Sequence, residues 1–152
     1  MSSMANIYPV WWDTTITIYN RYEDSNTQLI RWYRHTVPKC FWKNVGEKVT
    51  IGDTVLDTNQ IICRIPKNPI FLERYQWVAL ANDEKENYFT LGRGDILVRG
   101  EVDDVIDENT SGRRSTDFLS KYKDLQGCME IEETAINTGA GRCSEHYLVR
   151  GI

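Results

Sequence analysis

At 152 residues, 41% hydrophobic and 11% aromatic, the chain has enough apolar mass for one core, which excludes both wholesale disorder and a mini-protein. Its 18 basic residues against 22 acidic ones leave a net charge of -4, so the electrostatic footprint of a dedicated DNA binder is missing. The longest apolar runs, such as 61–63 and 77–81, fall far below the roughly 20 residues that cross a bilayer. Residues 1–8 show no basic cluster followed by an apolar stretch, so neither a membrane span nor a signal peptide is expected.

Residues 14–20 alternate β-branched polar and apolar side chains, with Ile16 and Ile18 flanking Thr17, which predicts a strand with one buried face. Asp24, Ser25, Asn26 and Thr27 make a turn, and 29–37, carrying Trp32 and Tyr33, returns as the second half of a hairpin. Pro38 ends or bends that strand because it has no ladder donor, and 40–43 stays extended beyond it. In 45–59, Gly52-Asp53 separates two short β-prone runs, predicting a protruding hairpin or long loop. Residues 60–65 form a strand stopped by Pro66, and Lys67-Asn68-Pro69 turns the chain back into a continuing barrel or sandwich.

Helical signal is sparse in the middle of the chain. One short helix is predicted over 82–88, where Asn82 is placed to cap and the early acids suit the dipole. Residues 91–95 read as a glycine turn, its Gly92-Arg93-Gly94 suited to a hairpin, and 96–99 as a compact strand. Residues 103–114 hold four acids, Gly112 and two arginines with little apolar content, the composition of an exposed loop. A second helix is predicted over 117–125, capped by Ser115 or Thr116, with Phe118, Leu119, Tyr122 and Leu125 facing a sheet. Alternation resumes over 128–136, 137–141 turns, and 146–150 returns as a closing hairpin. Six or more short strands with no βαβ alternation predict a mainly all-β fold. The expectation is a small antiparallel β-barrel or sandwich with one or two short helices and long loops, forming a single domain over 1–152.

Catalytic chemistry needs a constellation of reactive side chains, and none is legible here. His35 and His146 lack a partner at metal-ligand spacing, and Cys40, Cys63, Cys128 and Cys143 form no C-x-x-C pair, so they read as reduced thiols. His35 and Cys40, five apart on one extended run, should point to opposite faces and fail as a base and nucleophile. The lone Gly92-Arg93-Gly94 lacks the dinucleotide fingerprint. Glu101, Asp103, Asp104, Asp107 and Glu108 resemble a calcium site in charge but not in spacing. Trp11, Trp32, Trp42 and Trp77 lie in or beside strand-like segments, which favours core and interface over a sugar-binding platform. No enzyme activity, cofactor or metal is expected.

Several short motifs recur in a telling order: Ile7-Tyr8-Pro9 before Trp12-Asp13-Thr14-Thr15, then Cys40-Phe41-Trp42-Lys43, Ile61-Ile62-Cys63-Arg64-Ile65-Pro66, Tyr88-Phe89-Thr90-Leu91, Gly94-Asp95-Ile96-Leu97-Val98-Arg99-Gly100, and His146-Tyr147-Leu148-Val149-Arg150-Gly151. Across nearly the whole chain this order resembles a small phage and prophage structural family encoded among the head, connector and minor capsid genes of viruses of Gram-positive bacteria. The resemblance implies a head-closure barrel at the neck of a tailed virion, assembled as a six- or twelve-fold homo-oligomeric ring. The portal or adaptor protein would sit above it, a tail protein below, and DNA would pass the lumen without specific binding. It would be made in the host cytoplasm and reside in the virion.

The same resemblance admits a tail-completion or tail-terminator role, and the aromatic content admits a carbohydrate-binding β-sandwich. Under the ring reading, contacts with neighbours or the lumen fall to two segments. These are the hairpin with Glu47, Lys48, Thr50 and Asp53, and the loop with Asp103, Asp104, Asp107, Glu108, Arg113 and Arg114. An acidic lumen would let DNA slide, because phosphate contacts would otherwise have to be released at every step.

Overall fold

A computed structural model describes residues 9–137 and 145–152, with the backbone alone over 45–51 and 54–59 and at 124 and 137. Six antiparallel strands close into a barrel in the order β1-β2-β3-β6-β5-β4. They are β1 (Thr14–Glu23), β2 (Ile30–Ile51), β3 (Thr54–Pro66), β4 (Ile96–Arg99), β5 (Cys128–Asn137) and β6 (His146–Gly151). Two helices, α1 (Arg74–Val78) and α2 (Ser115–Leu125), complete the described elements with a 3-10 turn at Lys85–Asn87. The mainly β expectation holds and resolves to a barrel. The turn predicted over 138–141 and Cys143 lie outside the described residues. Among the described residues no helix is long and apolar enough to cross a membrane.

Closure depends on β2 serving two partners in succession. Its first part pairs with β1 from Glu23↔Ile30 to Thr14↔Cys40, and its second pairs with β3 from Phe41↔Arg64 onwards. Pro38 bends this strand and does not end it. The register slips between Thr14 and Ile16, and Lys39 takes a positive φ of 60°, so the extra residue forms a bulge that turns the strand from one side of the barrel to the other.

The strand β1 is buried on both faces, where its alternation predicted one. Ile16 and Ile18 point into the barrel with Val37, Cys63, Ile65, Leu97, Met129 and Val149. On the opposite face Tyr19 joins Ile96, Val98, Val102, Ile106 and Cys128 beneath Phe118 and Tyr122 of α2. Thr17 is tolerated in this second layer because its hydroxyl donates to the Gly100 carbonyl at 2.7 Å and accepts the Val102 N–H at 3.1 Å. The helix α2 therefore covers the sheet as its apolar spacing predicts, although Leu125 at its end is 65% exposed. Neither Ser115 nor Thr116 is its cap. Arg114 holds that position, and Glu108 accepts the Ser115 N–H at 2.6 Å from outside the helix.

Residues 67–95 depart furthest from expectation. The barrel does continue beyond Pro69, but it resumes only at β4; between β3 and β4 the segment acts as a plug, inserting Phe89 and Leu91 into the inner core with Phe71 packed against it. Trp77, read as strand-associated, sits on the single-turn helix α1 and is fully buried. The helix predicted over 82–88 shrinks to the 3-10 turn, whose sole buried residue is Lys85, so no apolar stripe exists to propagate an α-helix. The Gly92-Arg93-Gly94 turn is closed by the Asp95 N–H donating to the Gly92 carbonyl at 3.1 Å, and it leads from the plug into β4 without joining two paired strands.

The seam between β5 and β6 is set by a close approach at Gly151, which pairs with both Ile61 and Ile131. A Cβ there would lie 2.1 Å from the Glu130 carbonyl oxygen, a backbone atom that no rotamer change can move. Gly151→Ala is therefore expected to cost about 3 kcal/mol of stability, read as a lowered urea midpoint at unchanged m-value. A midpoint equal to wild type would show that the seam opens freely.

Candidate functional site

The acidic loop and α2 form one structure. Asp104 accepts hydrogen bonds from Lys121 Nζ at 2.8 Å and the Tyr122 hydroxyl at 2.7 Å, which hold its carboxyl below the usual range. Its backbone carbonyl accepts the Tyr19 hydroxyl at 2.6 Å, and burial pushes that phenol well up. Asp107 turns the chain, taking the Asn109 N–H at 2.9 Å and the Thr110 hydroxyl at 2.8 Å, and these bonds hold it low as well. Glu108 caps α2, and Arg34 reaches Asp103 at 3.2 Å. A groove of about 390 Å³ opens between loop and helix, with Asp103, Asp104 and Asp117 facing Arg113 and Lys121. The segment read as a free loop is thus pinned, and Asp104, Asp107 and Glu108 work within the chain. Asp103, Arg113 and Arg114 are the predicted contact residues left exposed there.

The predicted hairpin is the end of β2 and the start of β3, paired from Asn44↔Ile61 to Ile51↔Thr54. Its tip is the two-residue turn Gly52-Asp53, where Gly52 takes a φ of 62° that favours glycine. Because β6 pairs with β3 only from Ile61 onwards, residues 54–60 have β2 as their sole strand partner among the described residues. A two-stranded ribbon therefore extends about 20 Å past the third strand. Glu47, Lys48 and Thr50 lie on its β2 arm and Asp53 is exposed at its tip. Across the barrel, β5 also outruns its neighbour: its pairing with β4 ends as the Ile131 N–H donates to the Asp95 carbonyl at 2.8 Å. Beyond that point residues 132–136 are all exposed. A second groove of about 420 Å³, bordered by Arg93, Lys123, Glu130 and Glu132, opens where β5 leaves β4.

Sequence reasoning missed the polar hub that holds the plug. Asp95 is fully buried, and its carboxylate accepts the Arg21 N–H at 2.8 Å, Arg74 Nη1 at 2.8 Å, Asn20 Nδ2 at 2.9 Å and the Gly92 N–H at 3.1 Å. Burial nonetheless pushes its pKa up to about 6, against the pull of Arg74. Asn20 also clasps Thr90, donating to its carbonyl at 2.6 Å and accepting its N–H at 3.1 Å. Nearby, the buried Lys85 lies 4.3 Å from the Tyr22 ring centroid and donates to the Leu80 carbonyl, and burial draws its pKa down. Asp95 stands in a turn motif and Lys85 in an acidic run, contexts in which neither announces burial. The exposed face of α1 presents Tyr75, at 70%, and Val78 three residues on.

The other candidates resolve into packing. Cys40 and Cys63 lie together in the inner core, where burial pushes the Cys63 thiol well up, and burial raises Cys128 to about 12. The His35 ring packs 6.1 Å from Phe89, which shares that core with Cys40. The two do not point to opposite faces, because the bulge at Pro38 and Lys39 adds the residue that reverses parity. Burial lowers the His35 pKa. Trp12 packs edge-on to His146 at 5.8 Å, Trp32 and Trp42 rest on the two cores, and Trp11 is the described tryptophan left exposed, at 66%. Among the described residues no three His, Cys, Asp or Glu side chains are grouped to hold a metal.

Neither the curated proteins nor the solved structures yield a match to the chain. A family model does match, covering residues 11–152, nearly all of the barrel, plug and ribbon described above. The chain accordingly belongs to DUF6751, a family of unknown function.

Proposed function

We propose that this protein is a head-closure component of a tailed bacteriophage or prophage, forming a ring around the DNA channel between portal or adaptor and tail. The observation that carries the reading is a closed six-stranded barrel extended by a two-stranded ribbon. A ring subunit needs a rigid body and an arm long enough to reach a neighbour, and this chain has both. Exposed aromatic and aliphatic side chains at Trp11, Tyr75 and Ile136 suit lasting protein contacts. The order of motifs along the chain, which resembles phage neck proteins, supplies the specific location. A net charge of -4 suits a channel through which DNA slides. The pinned acids of the loop shift that role toward exposed Asp103 and away from Asp104, Asp107 and Glu108. Assembly in the host cytoplasm and residence at the head-tail junction follow from the same reading.

Deleting the coding sequence from the phage genome that carries it is expected to yield finished tails and heads that lose their DNA, unjoined in the lysate. Adding the purified chain to that lysate should restore joined, infectious particles. Stable full heads beside defective tails would instead assign it to tail completion. Normal particles in its absence would overturn the neck reading.

A further inference from the structure

Strands at the margin of a sheet present unpaired N–H and C=O groups that template the addition of another strand. Three such margins belong to the four-stranded sheet β2-β3-β6-β5, one of them the side of β3 over 54–60 away from β2, which carries the acid Asp57 and no base and so offers no opposite charge to an acidic strand. Among the described residues, the outer side of β2 over 41–51 has no strand partner, and neither has the outer side of β5 past Ile131. The β5 margin is unusual in a second respect. Residues 133–136 keep their ladder to β6, with Glu132 the extra residue at a register shift before them, yet all five of 132–136 are exposed, including Ile136 at 41%. A strand with no buried face gains little from folding in a lone molecule.

We infer that β5 of one copy pairs with the outer edge of β2 on the next copy, so that the sheet runs from subunit to subunit. Charge selects this pairing over the alternatives. The β5 run carries Glu130, Glu132 and Glu133, whereas the unpaired stretch 41–51 of β2 carries Lys43 and Lys48 against one acid, Glu47. Glu133 is already engaged with Arg150 at 3.2 Å, while exposed Glu132 and Lys43 have no ion pair among the described residues. Pairing β5 with a second β5 would oppose glutamates, and pairing β2 with a second β2 would oppose lysines. Strand direction agrees. Every neighbour in β2-β3-β6-β5 is antiparallel, so a further β2 beyond β5 in the orientation of the first preserves the alternation. Joining two different edges is a head-to-tail contact, which closes into a ring or grows as a filament. The shorter edge, 132–137, sets the new ladder at about 20 Å. The inference rests on the ring assembly proposed above and names the contact that builds it.

The test uses the full-length chain in two charge reversals, Glu132→Lys and Lys43→Glu, each at an exposed position. Sedimentation equilibrium should show each variant alone self-associating about tenfold more weakly than wild type, because like charges then meet at every joint. An equimolar mixture should recover wild-type association, since the reversed edge of each variant then meets an opposite charge on the other. Thermal midpoints equal to wild type would verify that both variants are folded. Variants that associate like wild type, or a mixture that stays dissociated, would overturn the edge pairing while leaving the ring reading in place. A wild-type chain that remains monomeric in solution and forms no ring on particles would overturn both.

Discussion

Asp95→Ala should lower the unfolding free energy at pH 7 by about 3–5 kcal/mol, the range for removing one partner of a buried, hydrogen-bonded pair. The loss exceeds that of an ordinary surface ion pair because the Asp95 carboxylate is fully buried and serves four donors from β1, α1 and its own turn. Alanine would strand the Asn20 amide, the Arg21 and Gly92 N–H groups and the Arg74 guanidinium together. Asp95→Asn keeps one carbonyl acceptor and should cost less. The pH dependence separates this residue from Asp104 and Asp107. Burial raises the Asp95 pKa from 3.8 to about 6, so in that window the native chain binds a proton that the unfolded chain does not. The stabilisation linked to this bound proton, separate from the hydrogen bonds that Asp95 keeps at pH 7, is therefore fully present below pH 3.8 and is lost as pH rises through about 6. Asp104 and Asp107, held low, act with the opposite sign, but they are common to wild type and Asp95→Asn and cancel in the comparison. Urea unfolding of the two proteins across this range should give curves that converge toward high pH or separate toward low pH by this slope. Parallel curves would show that Asp95 does not titrate there.

Trp77→Ala is expected to cost a further about 3–5 kcal/mol in a separate variant, the usual range for emptying a large buried aromatic site. The indole is fully buried, meets Tyr33 and Tyr22 edge-on at 5.5 and 6.0 Å, and donates from Nε1 to the Tyr88 carbonyl at 3.2 Å. The Arg74 guanidinium lies 5.3 Å from its ring centroid, so the same side chain joins the plug's aromatic cluster to the Asp95 hub. Chemical denaturation measures the global loss. Hydrogen exchange should place the largest fall in protection over the plug, ahead of β1 and β4, because the barrel's inner core keeps its own contacts. Trp77→Phe should recover part of the loss. A penalty below about 1 kcal/mol would mean that the plug collapses onto the vacated site without cost.

The readable parts of this chain were those where a side chain's class and period coincide with its burial. Ile16 and Ile18, the 128–131 start of β5 and the Phe118-Tyr122 spacing placed two strands and a helix because each lies in an element long enough for its period to show, whereas 132–136 carry the alternation on with every residue exposed. The plug was unreadable for the opposite reason. A five-residue helix and a three-residue 3-10 turn are too short to display a period, and their anchors include Lys85, Asp95 and Asn20, residue types that ordinarily face water. Composition likewise marked 103–114 as an open loop, yet its acids find their donors at Lys121, Tyr122, Ser115 and Arg34, outside the loop itself.

By itself, the order of residues determined a mainly β chain, the ribbon tip at Gly52-Asp53, and an α2 that lies on a sheet, because local pattern and turn chemistry suffice for each. Only the tertiary structure decided that β1 is buried twice, that the bulge at Lys39 puts His35 and Cys40 in one core, and that β2 and β5 leave edges unpaired. Those outcomes depend on which distant strand lies alongside. Hydrogen-bonding partners and second faces are supplied from elsewhere in the chain, where no local period records them.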